Sequence, residues 1–475
     1  MRCEWKGMTI MERKNAWTTY GEADMEKVEA FAKAYCAYID EGKTERECVT
    51  ASVRAAKEAG FADLWEMIRE GKKAEAGDRI YVNWMNKCFV AFVMGEKPLS
   101  AGMNIVGAHI DSPRIDVKQN PLYEDSDFAY LDTHYYGGIK KYQWLATPLA
   151  LHGVICRKDG TTVTVAIGED ENDPVFYISD LLPHLAQEQM AKNARDIIAG
   201  EDLNLIIGGK PAADCEKDAV KEGVLAILKE KYGVEEEDFL SAELEIVPAG
   251  KARDVGFDRS MIMAYGHDDR VCAYPSMQAV LDFEGTPAYT LCCVLTDKEE
   301  IGSVGATGMD SRYFENIVAE LCELAGENGA LALRRTLANS RMLSSDVSAG
   351  YDPIFASAFE KKNAAFLGCG VCFNKFTGRG GKGGSSDANA EYIACLRRIM
   401  DDAGVNFQTA ELGRVDLGGG GTIAYMCAKY GMNVIDSGVA VLSMHVPYEV
   451  ISKADLYEAY KCYCAFLRDA APVEA

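Results

Sequence analysis

Five short stretches of this chain carry side chains that could do chemistry together. The apolar run Tyr289-Thr290-Leu291-Cys292-Cys293-Val294-Leu295 leads into Thr296-Asp297-Lys298-Glu299-Glu300-Ile301-Gly302. A buried strand that delivers adjacent carboxylates is costly, because ionised groups leaving water need a cation or a hydrogen-bond partner. A metal ion meets that need. On an extended backbone neighbouring side chains point in opposite directions, so Glu299 and Glu300 can divide two tasks, one binding a metal and the other moving protons. His109 and Asp111 stand two apart in Gly107-Ala108-His109-Ile110-Asp111-Ser112-Pro113-Arg114. At that spacing Asp111 can hold one ring nitrogen of His109 while the other faces a metal. Asp268, Asp346 and His445 each end or open a predicted element and complete the group.

Two imidazoles and three carboxylates, His109, Asp268, Glu300, Asp346 and His445, with Glu299 in reserve, suit Zn²⁺, with Co²⁺ or Mn²⁺ also accommodated, better than a thiolate site would. The set holds two ions if one carboxylate bridges them. Two ions about 3.5–4 Å apart would share a hydroxide and polarise a carbonyl, while a nearby Glu takes the proton from water and passes it to the leaving amine. That is peptide or amide hydrolysis. Other chemistries fit less well: there is no Gly-x-Ser-x-Gly elbow for a serine nucleophile. The glycine-rich Gly378-Arg379-Gly380-Gly381-Lys382-Gly383-Gly384-Ser385 has the wrong spacing for a phosphate loop. It reads as a flexible loop near the cleft.

The elements that must position these groups follow from periodicity. Residues 22–59 read as two helices, with Val28, Phe31, Ala32, Tyr35 and Ile39 on one face, a break at Gly42, and a Thr44/Glu47 capping box opening the second. Asn104-Ile105-Val106-Gly107-Ala108 reads as a buried strand. Between about Asp116 and Lys251 the texture changes to short alternating segments such as Thr161-Thr162-Val163-Thr164-Val165-Ala166-Ile167, an inserted β-rich unit. After Gly266 the α/β alternation resumes. Asp268-Asp269-Arg270 opens a helix that Pro275 must enter early or kink, and Met309-Asp310-Ser311 caps another. Strands are expected at Met342-Leu343-Ser344-Ser345, at Ala364-Ala365-Phe366-Leu367-Gly368, at Val371-Cys372-Phe373 and at Val439-Ala440-Val441-Leu442-Ser443-Met444, the last ending in His445. Residues 386–400 read as a helix, Gly418-Gly419-Gly420-Gly421-Thr422 precedes another, and Ser452 with Asp455 would cap the final one. The fold class is α/β: a mostly parallel central sheet flanked by helices, whose strand ends carry the chemistry.

Composition sets the outer bounds. At 475 residues and 48% hydrophobic content, the chain fills two or three cores. A formal charge of −23 argues against nucleic acid and an anionic membrane surface as partners. Met1-Arg2-Cys3-Glu4-Trp5-Lys6-Gly7 lacks a secretory apolar core and no stretch reaches the roughly 18 apolar residues of a membrane span, so a cytoplasmic location is expected. The sixteen cysteines, scattered through apolar runs such as Leu291-Cys292-Cys293-Val294, read as buried thiols.

These motifs, in this order, resemble the M18 family of metallo-aminopeptidases, the aspartyl aminopeptidase group, over nearly the whole chain. The likeness rests on the Gly107 to Arg114 run, Gly266-His267-Asp268-Asp269-Arg270, Asp297-Lys298-Glu299-Glu300-Ile301-Gly302-Ser303, Ser345-Asp346-Val347-Ser348 and Leu442-Ser443-Met444-His445-Val446-Pro447-Tyr448-Glu449. The resemblance implies a zinc-exopeptidase fold whose catalytic part spans 1–118 and 256–475, with a dimerisation domain inserted at 119–255. It implies two zinc ions bridged by Asp268, one also held by His109 and Asp346, the other by Glu300 and His445, with Glu299 as general base and Asp111 orienting His109. His184, in Leu182-Pro183-His184-Leu185, matches a histidine that reaches a neighbouring subunit's site, and dimers would assemble to a tetrahedral dodecamer. A lysine facing the first substrate side chain marks acidic-preferring members; Lys375 and Lys382 are the candidates here. The chain departs from the family pattern after Asp346, where Ser348-Ala349-Gly350 has Ala349 in place of the usual His. The expected substrates are peptides with a free N-terminus, trimmed one residue at a time, Asp or Glu among the candidate first residues. A deacylase or carboxypeptidase on the same core would read an acyl group or carboxylate instead of a free amine. A non-catalytic assembly protein would have no need of Glu299.

Overall fold

The computed structural model describes residues 13–473, apart from 214 and 379. The N-terminal heptapeptide read for a leader lies outside the described residues, as does Arg379 of the glycine-rich loop. No helix among the described residues is long and apolar enough to cross a membrane.

A nine-stranded sheet organises the chain, in the order Ala62–Asp63, Arg79–Trp84, Cys88–Val93, Leu291–Thr296, Asn104–His109, Arg341–Ser345, Asn433–Gly438, Val371–Asn374 and Phe407–Thr409. Its middle four strands, Leu291–Thr296 through Asn433–Gly438, run parallel, with Thr296 opposite His109 and Ser345 opposite Ser437. Antiparallel pairings fall at Arg79–Trp84 with Cys88–Val93, at Cys88–Val93 with Leu291–Thr296, and where Asn433–Gly438 meets Val371–Asn374. Parallel alignment brings several strand C-termini to one edge, which is where such sheets place their ligands.

The side-chain period of two divides these strands between two cores. Val106, Ala108, Cys293, Leu295 and Leu343 join one cluster with the helices Glu22–Glu41, His267–Leu281 and Lys453–Asp469. Ile105, Cys292, Val294, Met342 and Val434 join the other with Tyr313–Leu324. Each fully buried Leu, Ile or Val there contributes about 1.5–3 kcal/mol. Gly107 lies between the strands where a Cβ would come within 2.7 Å of Met342 Cε and 3.2 Å of the Val294 carbonyl, so a larger residue would require the Met342 side chain to move.

After Asn104–His109 the chain enters a second sheet through Arg114–Asp125, six-stranded and antiparallel throughout, in the order Thr162–Ile167, Leu149–Cys156, Ala242–Pro248, Arg114–Asp125, Phe128–Tyr136 and Leu205–Gly208. It has its own core around Ile115, Leu131, Trp144, Leu205 and Ile246. A five-stranded sheet of Arg253–Val255, Met261–Ala264, Glu449–Ser452, Ala440–Leu442 and Ser348–Ala349 completes the fold.

Several local expectations need correction. Residues 364–368 form turns with a single bridge from Ala365 to Gly350 instead of a strand. The expected strand before His445 is only Ala440–Leu442, and it belongs to the five-stranded sheet. The helix expected from residue 386 is Ala390–Ala403, because Asp387 turns back to pair with Lys375 and Lys382. Ser452 makes no capping bond; Asp455 accepts instead from the N–H groups of Gly368 and Gly370, tying the last helix to the 364–370 turn. Asp268 and Asp269 have non-helical φ/ψ, so the regular helix starts only at Arg270 and Pro275 is its sixth residue. The thiols are mostly buried, but Cys156 is exposed. Cys369 and Cys372 stand at Cys-x-x-Cys spacing, yet both are free and Cys372 lies within the strand Val371–Asn374.

Candidate metal centre

His109 is the last residue of Asn104–His109, Asp346 follows Arg341–Ser345, and Glu299 and Glu300 lie just beyond Leu291–Thr296. Asp268 comes from the irregular start of His267–Leu281, and His445 from the turn between Ala440–Leu442 and Glu449–Ser452. The glutamate pair is not extended, as the sequence suggested; it occupies a one-turn 3₁₀ helix, Glu299–Ile301, entered through Lys298 at φ 66°.

Asp268 sits at the centre. Its Oδ1 lies 3.2 Å from His109 Nε2 and its Oδ2 3.2 Å from His445 Nε2, while Glu300 Oε1 lies 3.4 Å from that same nitrogen. The donor atoms of His109, Asp268 and Asp346 fall within 4.8 Å of one another, as do those of Asp268, Glu300 and His445. Asp268 is common to both groups. A third group of the same span brings Glu299 and Glu300 against His109.

Backbone contacts hold these side chains. Gly266 (φ 75°) starts the Asp268 turn, and a Cβ there would come within 2.1 Å of Arg270 Nη1. The peptide bond between Asp268 and Asp269 is cis. One carboxylate, Glu449, accepts from Asp268 N–H at 2.9 Å and from His445 N–H at 2.7 Å, so it clamps two donor residues 177 positions apart. Asp111 accepts from the N–H groups of Glu299 and Glu300 at 3.1 and 3.2 Å and from the Tyr136 hydroxyl at 2.8 Å. His109 Nδ1 lies 3.0 Å from the Asp111 carbonyl and 3.4 Å from its carboxylate, so Asp111 fixes the ring and the glutamate turn together. His445 Nδ1 donates to the Gly138 carbonyl at 3.0 Å. With both Nδ1 atoms occupied, Nε2 of each ring faces the centre.

The electrostatics call for cations. Burial pushes the Glu300 and Asp346 carboxyls well above their ordinary range, and the Asp268 charge raises both further. Burial also lifts Glu299, to about 7, with Asp111 and Asp268 adding to the shift. Asp268 is the exception: its burial is outweighed by His109 and His445, which hold it below the usual carboxylate range. No Lys or Arg is among the described residues lining this cavity of about 490 Å³. Four acidic groups facing two imidazoles can ionise together only beside added positive charge, and nitrogen and oxygen donors of this kind fit two divalent ions with a shared carboxylate.

The structure does not bring every singled-out residue here. His184 is exposed on a turn of the second sheet's unit and lines no part of this cavity. Lys375 and Lys382 are absent from the cavity lining; both pair with Asp387, at 2.6 and 3.3 Å, and Lys382 covers the Phe376 ring. Away from the donors the walls are Val347, Leu412, Tyr425, Met426 and Met444, with Asp436, whose Oδ1 accepts from Thr422 at 2.5 Å. Sequence reasoning assigned no role to Glu449, Tyr136, Gly138 or Asp436. Tyr136-Gly137-Gly138 did stand out as a glycine cluster, and Glu449 lay within a quoted motif, but their contacts are long-range and have no local signature.

The chain matches the family described as aminopeptidase I zinc metalloprotease (M18) over residues 38–467. It is 55% identical over 461 residues to a probable M18 family aminopeptidase 1 of Clostridium acetobutylicum, covering 97% of this chain and 99% of that protein. Its fold superposes on the crystal structure of an M18 aminopeptidase from Thermotoga maritima with a TM-score of 0.92 at 43% identity, covering 97% of this chain and all of that one. The crystal structure of aminopeptidase I from Clostridium acetobutylicum gives a TM-score of 0.90 at 52% identity, covering 96% and 99% of the two chains.

Proposed function

The chain belongs to the M18 family of metallo-aminopeptidases, and from that premise we propose that it releases single N-terminal residues from peptides at a centre for two divalent ions, with Zn²⁺ the best fit to the donors. The observation that carries this reading is Asp268, which offers one oxygen to each of two groups of donors. His109 and Asp346 would hold one ion with it, and Glu300 and His445 the other. The ions, when bound, would supply the positive charge that acidifies a water and polarises the scissile carbonyl.

The chain's own residues do the rest. Glu299, its turn fixed by Asp111 and its carboxyl raised by burial, is poised to take a proton from water and return it to the departing amine. Asp111 keeps the His109 ring from rotating, and Gly138 does the same for His445. Val347, Leu412, Met426 and Met444 exclude water beside the bond that breaks. With the nearby lysines engaged by Asp387, a neutral first residue fits the cavity better than Asp or Glu; an acidic one would need Lys375 or Lys382 to leave that pair.

The antiparallel unit between the two halves of the main sheet serves, in this reading, as the dimerisation domain. Its exposed Leu181, Leu182, Leu185 and Met190 flank His184, a patch suited to burial against another copy, and His184 would then enter the partner's site. The test is hydrolysis of a panel of aminoacyl anilides and their N-acetylated forms by protein stripped of metal and reloaded. Metal-dependent release from free amines alone is the expected result. Turnover of the N-acetylated forms would shift the assignment to a deacylase.

A further inference from the structure

A second cavity, of about 400 Å³, adjoins the metal centre and is not used by the reading above. Gly138 lines both cavities, and its carbonyl holds His445, so the segment 137–138 is the wall between them. The second cavity is chemically unlike the first. Lys140, Lys141 and Arg195 line it, together with Tyr135 and Tyr142. In a chain of formal charge −23 a cation normally finds a carboxylate; Lys118 and Lys158 of the same unit pair with Glu201 and Glu237 at 2.5 and 2.7 Å. Among the described residues, Lys140, Lys141 and Arg195 have no carboxylate oxygen within 4.0 Å. Lys141 faces the Tyr135 ring at 5.9 Å instead. Three unpaired cations on one small concave surface focus positive potential at the edge of an acidic molecule.

We propose that this cavity receives the part of the peptide beyond the scissile bond and selects a carboxylate there, either the C-terminal carboxylate of a very short peptide or an acidic side chain. The inference rests on the aminopeptidase reading of the adjoining centre. A peptide whose first residue occupies the apolar side, near Val347 and Met426, and whose scissile carbonyl meets the Asp268 group must leave past another wall. Gly138 offers such a wall with no side chain in the way. The chain then enters the basic cavity one or two residues later, so dipeptides and tripeptides, or peptides with Asp or Glu behind the first residue, would be bound best.

The test compares four substrates sharing one first residue: the anilide, a tripeptide acid, its C-terminal amide, and the same amide with Glu in second position. The expected result is a kcat/KM for the acid, for the Glu-containing amide, or for both, about fivefold above that of the plain amide. The arm that exceeds it identifies the carboxylate recognised. That ratio falls toward one in Lys140→Ala/Arg195→Ala, and in the unaltered protein it also falls as salt rises from about 0.05 to 0.5 M, since exposed charge pairs are screened. Equal turnover of acid, amide and Glu-amide by the unaltered protein, or a ratio that survives both the double substitution and the salt, overturns the subsite. Failure of the metal-loaded protein to cleave the anilide overturns the aminopeptidase reading itself, and the subsite with it.

Discussion

Glu449→Gln isolates the contribution of the backbone clamp without touching any donor atom. The Glu449 carboxylate is buried, 1% exposed, and accepts from the N–H groups of Asp268 and His445 at 2.9 and 2.7 Å. Glutamine has nearly the same shape, but one oxygen becomes an NH₂ group that must face a backbone N–H. One charge-assisted hydrogen bond is lost and the other becomes neutral; buried bonds to charged groups contribute about 1.5–3 kcal/mol each. Because the clamp acts on one residue from each donor group, the loss falls on the centre as a whole. Metal affinity is expected to drop about 10- to 100-fold. The assay is competition with a fluorescent chelator, read beside kcat at saturating metal. The chain should stay folded, since the glutamine carbonyl still accepts from one of the two N–H groups and the amide keeps the shape of the carboxylate. Affinity within a factor of about two of the unaltered protein would refute the view that Asp268 and His445 are held by this single carboxylate.

Other substitutions probe neighbouring links. Glu299→Gln should lower kcat about 10²- to 10⁴-fold while metal content is unchanged, the range expected for loss of a general base; elemental analysis with steady-state kinetics separates this from metal loss. Tyr136→Phe removes the 2.8 Å hydrogen bond to Asp111 and should reduce kcat about tenfold with KM nearly constant, because the hydroxyl steadies the Glu299 turn and does not meet substrate. His152 lies between Glu47 at 2.8 Å and Glu169 at 3.3 Å; burial opposes its charge, yet the two carboxylates outweigh burial and raise it to about 9. A folded value above the unfolded one stabilises the fold fully below about pH 6.5 and loses that contribution as pH rises to 9. His152→Ala should therefore lower the midpoint of thermal unfolding strongly at pH 6, by an effect on the order of 3 kcal/mol, and only weakly at pH 9.5.

The residues that the fold gathers around Asp268 were legible because each ends or opens an element. A buried apolar strand such as Leu291–Thr296 that runs into two glutamates, or Asn104–His109 ending in an imidazole, announces an unusual demand at its tip. The parallel block followed from the same alternation of strands and helices. What sequence missed is what depends on contacts between distant segments. Glu449 looked like one more acidic residue after a strand, and only the fold shows it reaching the backbone of Asp268. Tyr136 and Gly138 belong to the six-stranded unit, so nothing local ties them to Asp111 and His445. The expected strand over residues 364–368 failed for a related reason: its apolar residues pack as turns pinned by Asp455, a tertiary contact that overrides local β preference. The Glu299–Glu300 turn shows the limit of periodicity too, since the pair lies on a 3₁₀ turn and not on an extended backbone.

The most direct test of a two-ion centre joined by Asp268 is metal stoichiometry, measured by elemental analysis after equilibrium dialysis, for the unaltered chain, His445→Ala, Asp346→Asn and Asp268→Asn. Two ions per chain are predicted for the unaltered protein, one tightly held ion after loss of His445 or Asp346, and weakened binding of both after loss of Asp268. A single ion in the unaltered protein, or an Asp268→Asn variant that still holds two tightly, would contradict the account.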